Sequence, residues 1–186
     1  VVVFEPYYDS YAATIELAGA RRVPVALRPD TAGRFGFDPA ELRAAISPKT
    51  RLILLNTPHN PTGSVLSREE TEVVAEVCRA NDLIVVSDEV YEHLTYDGTT
   101  HIPIATLPGM RERCVAISSA GKSFSVTGWK IGWVCAPEPL ITAINTVKQF
   151  LTYTHNPAMQ HAVAYALGNE MTWVQELRTA LQQRRD

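Results

Sequence analysis

Apolar residues along the chain fall into two kinds of run. VVVF (1–4), LILLN (52–56), LIVVS (83–87) and CVAIS (114–118) are short, rich in Val and Ile, and do not alternate with polar residues. Such strands are apolar on both faces, and the pattern predicts a parallel sheet between helical layers. VPVAL (23–27) is a weaker strand, in which Pro24 predicts an edge or a strand start. Helical spacing occupies the intervals. Residues 8–18 read as one helix, and 38–46 as another, with Asp38 as N-cap and Pro39 at the first helical position. In 67–81, Ser67 and Glu70 have capping-box spacing, and Val73, Val74 and Val77 form the apolar face. KIGWVCA (130–136) follows the preceding strand too closely for a helical crossover and is expected to run antiparallel. Beyond Pro137, helices are expected over 138–153, 157–168 and 170–186, with a break at Asn156-Pro157. The alternation predicts a three-layer α/β/α fold with a mostly parallel sheet. The expected organisation is a large domain over 1–168 and a helix, 169–186, leading out of it. The start on a strand pattern without Met, and the end on a helix pattern without a stop signal, read as the middle of a longer polypeptide.

Composition narrows the function classes. The chain has 186 residues, 46% hydrophobic and 20% charged, enough for one domain with a core. A net charge of −3 argues against nucleic acid or an anionic membrane as the main partner. No apolar run approaches the length of a membrane span, and no signal-peptide pattern is present. Cys78, Cys114 and Cys135 lie far apart with no CxxC, which argues against a disulfide framework or zinc site and for a reducing cytoplasm. His59, His93, His101, His155 and His161 show no HExxH spacing, and GxSxG is absent. AGKS (120–123) is not a Walker A tail, because Ala116 stands where that motif needs Gly; no GxGxxG occurs either.

In parallel α/β sheets, ligands bind beyond the carboxyl ends of the strands. The segments there are EPYYDSY, NTPHNPTG, SDEVYEH and SSAGKS. Asp88 alone reads as a turn or cap residue. With Tyr91 three positions on, a carboxylate and a phenol leave one strand tip together, suited to a protonated ring nitrogen and an oxyanion. Asn60 sits among Pro58, Pro61 and Gly63, in a tight turn where one X-Pro bond could be cis. It reads equally well as a turn residue bonding its own backbone. Lys122 reads as a solvated loop lysine or as a nucleophile, since lysine amines condense with aldehydes. Lys130 could supply a neighbouring charge or hold a bound anion.

Four segments in order, EPYYDSY (5–11), NTPHNPTG (56–63), SDEVY (87–91) and SSAGKSFSVTGWKIGW (118–133), resemble the fold-type-I pyridoxal 5′-phosphate-dependent aminotransferases of class I/II. The last segment and the EP-aromatic-aromatic-D opening look most like the kynurenine/glutamine aminotransferase and cysteine-conjugate β-lyase subgroup. SDEVYEHL is also similar to actinobacterial N-succinyldiaminopimelate aminotransferases.

The resemblance implies roles. Lys122 would form the Schiff base with the cofactor and later move the proton between Cα and C4′. Asp88 would bind the pyridine nitrogen and Tyr91 the ring oxygen. Asn60 would contact that oxygen and the substrate carboxylate, and Tyr8 would stack on the ring. Ser119 and Lys130 would hold the phosphate, with Lys130 where many aspartate aminotransferases have Arg; a point charge there replaces a bidentate fork. The implied reaction is ping-pong transfer of an amino group between an amino acid and a 2-oxo acid by a homodimer. The resemblance covers most of the large domain, and the chain alone is expected to be inactive or nearly so. A carbon–sulfur β-lyase or an aminocyclopropane-carboxylate-synthase-like enzyme would share these residues. An aminotransferase-like effector domain of a transcriptional regulator is the non-enzymatic alternative.

Overall fold

The computed structural model describes residues 1–186. Seven strands form one sheet: β1 (Val2–Glu5), β2 (Val23–Pro29), β3 (Phe35–Phe37), β4 (Leu52–Asn56), β5 (Ile84–Asp88), β6 (Cys114–Ser119) and β7 (Gly132–Cys135). Their spatial order is β3-β2-β1-β4-β5-β6-β7. β2, β1, β4, β5 and β6 run parallel. β3 and β7 are antiparallel to their neighbours, as expected for β7. The mostly parallel α/β architecture is therefore the predicted one.

β3 is an addition to the sequence reading. Its three residues, Phe-Gly-Phe, are too few to show a period. It follows a turn in which Asp30 Oδ1 accepts the amides of Ala32 (2.9 Å) and Arg34 (3.0 Å). β2 is consequently not the edge strand. Pro24 is its second residue, and β3 reaches only Leu27–Pro29, so Pro24 has a strand on one side only. The missing N–H is tolerated there.

The helices are α1 (Ser10–Leu17), α2 (Pro39–Ala44), α3 (Arg68–Ala80), α4 (Ala120–Ser123), α5 (Glu138–Leu151), α6 (Pro157–Asn169) and α7 (Met171–Arg185). α2 begins where Asp38 accepts the Ala40 amide at 2.8 Å, with Pro39 inside the first turn. α3 closes its capping box in both directions: the Ser67 amide donates to Glu70 at 2.8 Å, and the Glu70 amide donates to Ser67 at 3.2 Å. Helix ends fall within one or two residues of those predicted. α4, a single turn, was not foreseen. No helix is long and apolar enough to cross a membrane.

The main core holds 18 buried residues. Val2, Phe4, Val25, Leu27, Ile53, Leu55 and Val85 point from the sheet onto Leu42 of α2 and Val74, Val77 and Cys78 of α3. Burying one such side chain stabilises by about 1.5–3 kcal/mol. On the opposite face Val3 and Val115 are buried but Leu54 and Val86 are only half-buried, so that face is less completely covered within this chain. A smaller cluster, Ala120, Ile131 and Val163, ties α6 to the segment after β6. α5 buries no residue.

Candidate active site

β1, β4, β5 and β6 lie side by side and end at one edge of the sheet. Strand register sets Asn56 of β4 beside Asp88 of β5, and Asp88 beside Ile117 of β6. The segments beyond these ends enclose a cavity of about 290 Å³. Tyr8, Asn60, Asp88, Tyr91, Ser119 and Lys122 all line it. Lys130 does not. A larger groove of about 980 Å³, between Leu107, Val134 and Ile141, gathers none of them.

Asp88 ends β5 rather than following it, which fixes its backbone in the ladder. Its Oδ2 accepts the Tyr11 hydroxyl at 2.6 Å, and its Oδ1 accepts the Val90 amide at 3.2 Å. Burial, then the adjacent Asp88 charge, raises the Tyr11 pKa above the ordinary phenol value, so Tyr11 stays a donor. A carboxylate offers about four lone-pair sites, so Asp88 retains acceptor capacity toward the cavity.

Asn56 binds the turn after β4 to this strand end. Its Nδ2 donates to the main-chain oxygens of Asp88 (3.0 Å) and Pro58 (3.3 Å), and its Oδ1 accepts the Asn60 amide (2.8 Å). The Thr57-Pro58 and Asn60-Pro61 bonds are both cis, where the sequence left room for one. His59 serves the turn, with Nδ1 2.8 Å from Thr62 Oγ1, and burial lowers its pKa so that it stays neutral.

Lys122 rides on α4. Ser119 caps that helix, accepting the Gly121 amide at 3.0 Å while its own hydroxyl donates to the Ile131 carbonyl at 3.1 Å. Thr127 closes over the turn through its hydroxyl, 2.9 Å from the Gly121 carbonyl. A Cβ on Gly121 would stand 3.3 Å from Thr127 Cα, which is why a small residue precedes the lysine. Lys122 Nζ has neither a hydrogen-bond acceptor nor an ion-pair partner in the chain; the Tyr91 ring centroid is 5.9 Å away. The Tyr8 ring, 45% exposed, stands edge-on to Tyr11 with centroids 5.6 Å apart. Lys130 is exposed and adopts a left-handed φ of 56° at the end of the Thr127–Trp129 turn.

The sequence model of the family described as aminotransferase class I and II matches residues 1–186. The chain belongs to that family. Among its relatives, the probable N-succinyldiaminopimelate aminotransferase DapC of Mycobacterium tuberculosis is 50% identical over all 186 residues, which make up 47% of that protein. The mouse (Mus musculus) kynurenine–oxoglutarate transaminase 3 is 47% identical over 173 residues, covering 89% of this chain and 38% of that one. The solved structure of the N-succinyldiaminopimelate aminotransferase from Mycobacterium tuberculosis superposes with a TM-score of 0.97 at 49% identity, covering 100% of this chain and 48% of that one. YbdL of Escherichia coli, whose structure reports a methionine aminotransferase function, gives 0.93 at 38% identity, covering 100% of this chain and 48% of that one. The chain thus spans about half the length of these relatives, or less. Within this class I and II aminotransferase chain, Tyr11, Asn56 and Thr127 are the site residues that the motif reading passed over. Tyr11 closes EPYYDSY one helical turn after Tyr8, and that spacing is the signal that could have found it.

Proposed function

We propose that this chain is the pyridoxal 5′-phosphate-binding part of an aminotransferase that moves an amino group between an amino acid and a 2-oxo acid. The observation that carries the proposal is the pairing of an unpartnered amine, Lys122 Nζ, with an oriented carboxylate, Asp88, on one cavity. The donor set fits the cofactor. Lys122 offers an amine for its aldehyde, Asp88 an acceptor for a protonated ring nitrogen, and Tyr91 and Asn60 donors for the ring oxygen. Tyr8 offers an aromatic face. When bound, pyridoxal phosphate supplies an aldehyde and an electron-withdrawing ring.

The chain's own residues then have defined tasks. Lys122 Nζ would hold the cofactor's aldehyde and, when free, would move the substrate's α-proton from Cα to C4′. Asp88 keeps the ring nitrogen protonated, with Tyr11 and Val90 fixing its orientation. Ser119 and Lys130 serve the phosphate: the α4 cap places Ser119, and Lys130 must swing in from solvent. The full-length protein works as a homodimer in the cytoplasm. The likeness to the mycobacterial enzyme makes an N-succinylated diamino acid the first donor to assay, with kynurenine and methionine beside it.

The test uses full-length protein. Added pyridoxal phosphate should give an absorbance band that borohydride fixes onto the Lys122 peptide, and 2-oxoglutarate should be converted to glutamate. Retention of that band in Lys122→Ala would overturn the assignment. Elimination from cystathionine without any 2-oxo acid turnover would replace transfer with carbon–sulfur lysis.

A further inference from the structure

Directly behind the cavity wall lies a buried carboxylate–imidazole pair that lines none of the cavity. Glu89 lies one residue past β5, but its amide still pairs with the Ile117 carbonyl of β6, so its side chain takes the face opposite that of Asp88 and turns into the protein while Asp88 lines the site. The Glu89 side chain is 5% exposed, and the His101 side chain facing it is 4% exposed. His101 Nε2 lies 3.2 Å from Glu89 Oε2, close but poorly aligned for a hydrogen bond, and His101 Nδ1 has no partner. Glu89 Oε1 accepts the Ser87 hydroxyl at 2.8 Å. A carboxylate and an imidazole this deeply buried are costly to desolvate unless each answers the other.

We propose that Glu89 and His101 are positioning residues, a buried carboxylate–imidazole brace that holds the turn after Asp88 so that Tyr91 faces the cavity. The inference rests on the cofactor reading above. The backbone supports it. The Glu89 amide donates to the Ile117 carbonyl at 2.8 Å, and the Glu92 amide donates back to the Glu89 carbonyl at 2.8 Å, so Glu89 anchors both sides of the turn that carries Tyr91. The loop that brings His101 is itself fastened. Glu92 Oε1 accepts the Ser118 hydroxyl at 2.5 Å, and Asp97 accepts from both Nη groups of Arg185 at 2.8 Å. His101 therefore meets Glu89 from a held backbone. Without the bridge, Asp88 would keep its hydrogen bonds to Tyr11 and Val90, but the turn bearing Tyr91 would lose its inner support.

The experiment titrates full-length apoenzyme with pyridoxal phosphate, following the Schiff-base absorbance, with thermal unfolding of the apo forms alongside. Glu89→Met and His101→Leu fill the space without bridging; Glu89→Gln and His101→Gln can still bridge. The Met and Leu variants should bind the cofactor at least tenfold more weakly, with the Gln variants within about threefold of wild type. A purely structural pair would instead lower the unfolding temperature and leave cofactor affinity unchanged. Should Glu89→Met fail to fold, His101→Leu alone carries the test and should still weaken binding at least tenfold. Equal affinity across folded variants overturns the brace while leaving the cofactor site standing. A wild-type protein with no borohydride-reducible band overturns both.

Discussion

Replacing Tyr11 with Phe removes one hydroxyl and little else. The lost bond is 2.6 Å long, part-buried, and ends on a carboxylate. Hydrogen bonds to charged groups contribute about 1.5–3 kcal/mol. Asp88 is only half-buried, so water can replace part of the bond, and the lower end, about 1.5 kcal/mol near neutral pH, is the working figure. The sign with pH follows from Tyr11's raised pKa, caused first by burial and then by Asp88. A group whose pKa is raised on folding contributes stability below its unfolded value, here 10.0, and loses it as pH climbs past that value. Near pH 11, ionisation of the unfolded phenol favours the unfolded chain by about 1.4 kcal/mol. Wild type should therefore exceed Tyr11→Phe in stability near pH 7.5, and the gap should close near pH 11. Urea unfolding of the full-length proteins at the two pH values measures it, read as a shifted midpoint at unchanged slope. Equal midpoints at neutral pH would mean that the Tyr11–Asp88 bond adds no stability, and an undiminished gap at alkaline pH that the Tyr11 pKa is not raised on folding.

Other perturbations read other parts of the molecule. Leu42→Ala empties a fully buried position between α2 and the sheet and should destabilise by about 2–5 kcal/mol, seen as a lowered urea midpoint. Ser67→Ala breaks one arm of the α3 capping box and should cost about 1 kcal/mol in the same assay. Burial pushes the Cys78 and Cys114 thiols up to about 12, whereas Cys135 is exposed. Iodoacetamide near pH 8, followed by peptide mass spectrometry of the native protein, should label Cys135 and spare the other two; equal labelling would contradict the packing.

The parallel strands were legible because their residues are apolar at every position, and α3 because its cap and its apolar face agree. β3 and α4 were not, since three or four residues carry no period. The candidate residues Asp88, Tyr91 and Lys122 could be listed from their place after apolar runs. What the sequence could not supply was their support. Asn56 looked like the last residue of a strand, yet it fastens both the Asn60 turn and the Asp88 backbone. Glu89, one residue past the end of β5, carries no sequence signal for burial, yet its side chain is almost wholly buried against His101, twelve residues away.

The two lysines of GKSFSVTGWK make the same point about backbone closure. Nothing in their spacing says that one should face the cavity and the other solvent. That division comes from the way residues 119–132 close on themselves. The Ser119 hydroxyl and the Ala120 amide both donate to the Ile131 carbonyl, each at 3.1 Å, and Ser119 pairs with Gly132 across the β6–β7 ladder. A Cβ on Gly132 would lie 2.8 Å from the Ser118 carbonyl oxygen, so only glycine lets β7 come this near. With both ends of the loop pinned, α4 must start at Ser119 and present Lys122 inward, while Lys130 takes the left-handed turn that returns the chain to the sheet. β7 contributes no residue to the cavity, yet its antiparallel pairing is what sets the direction of the amine.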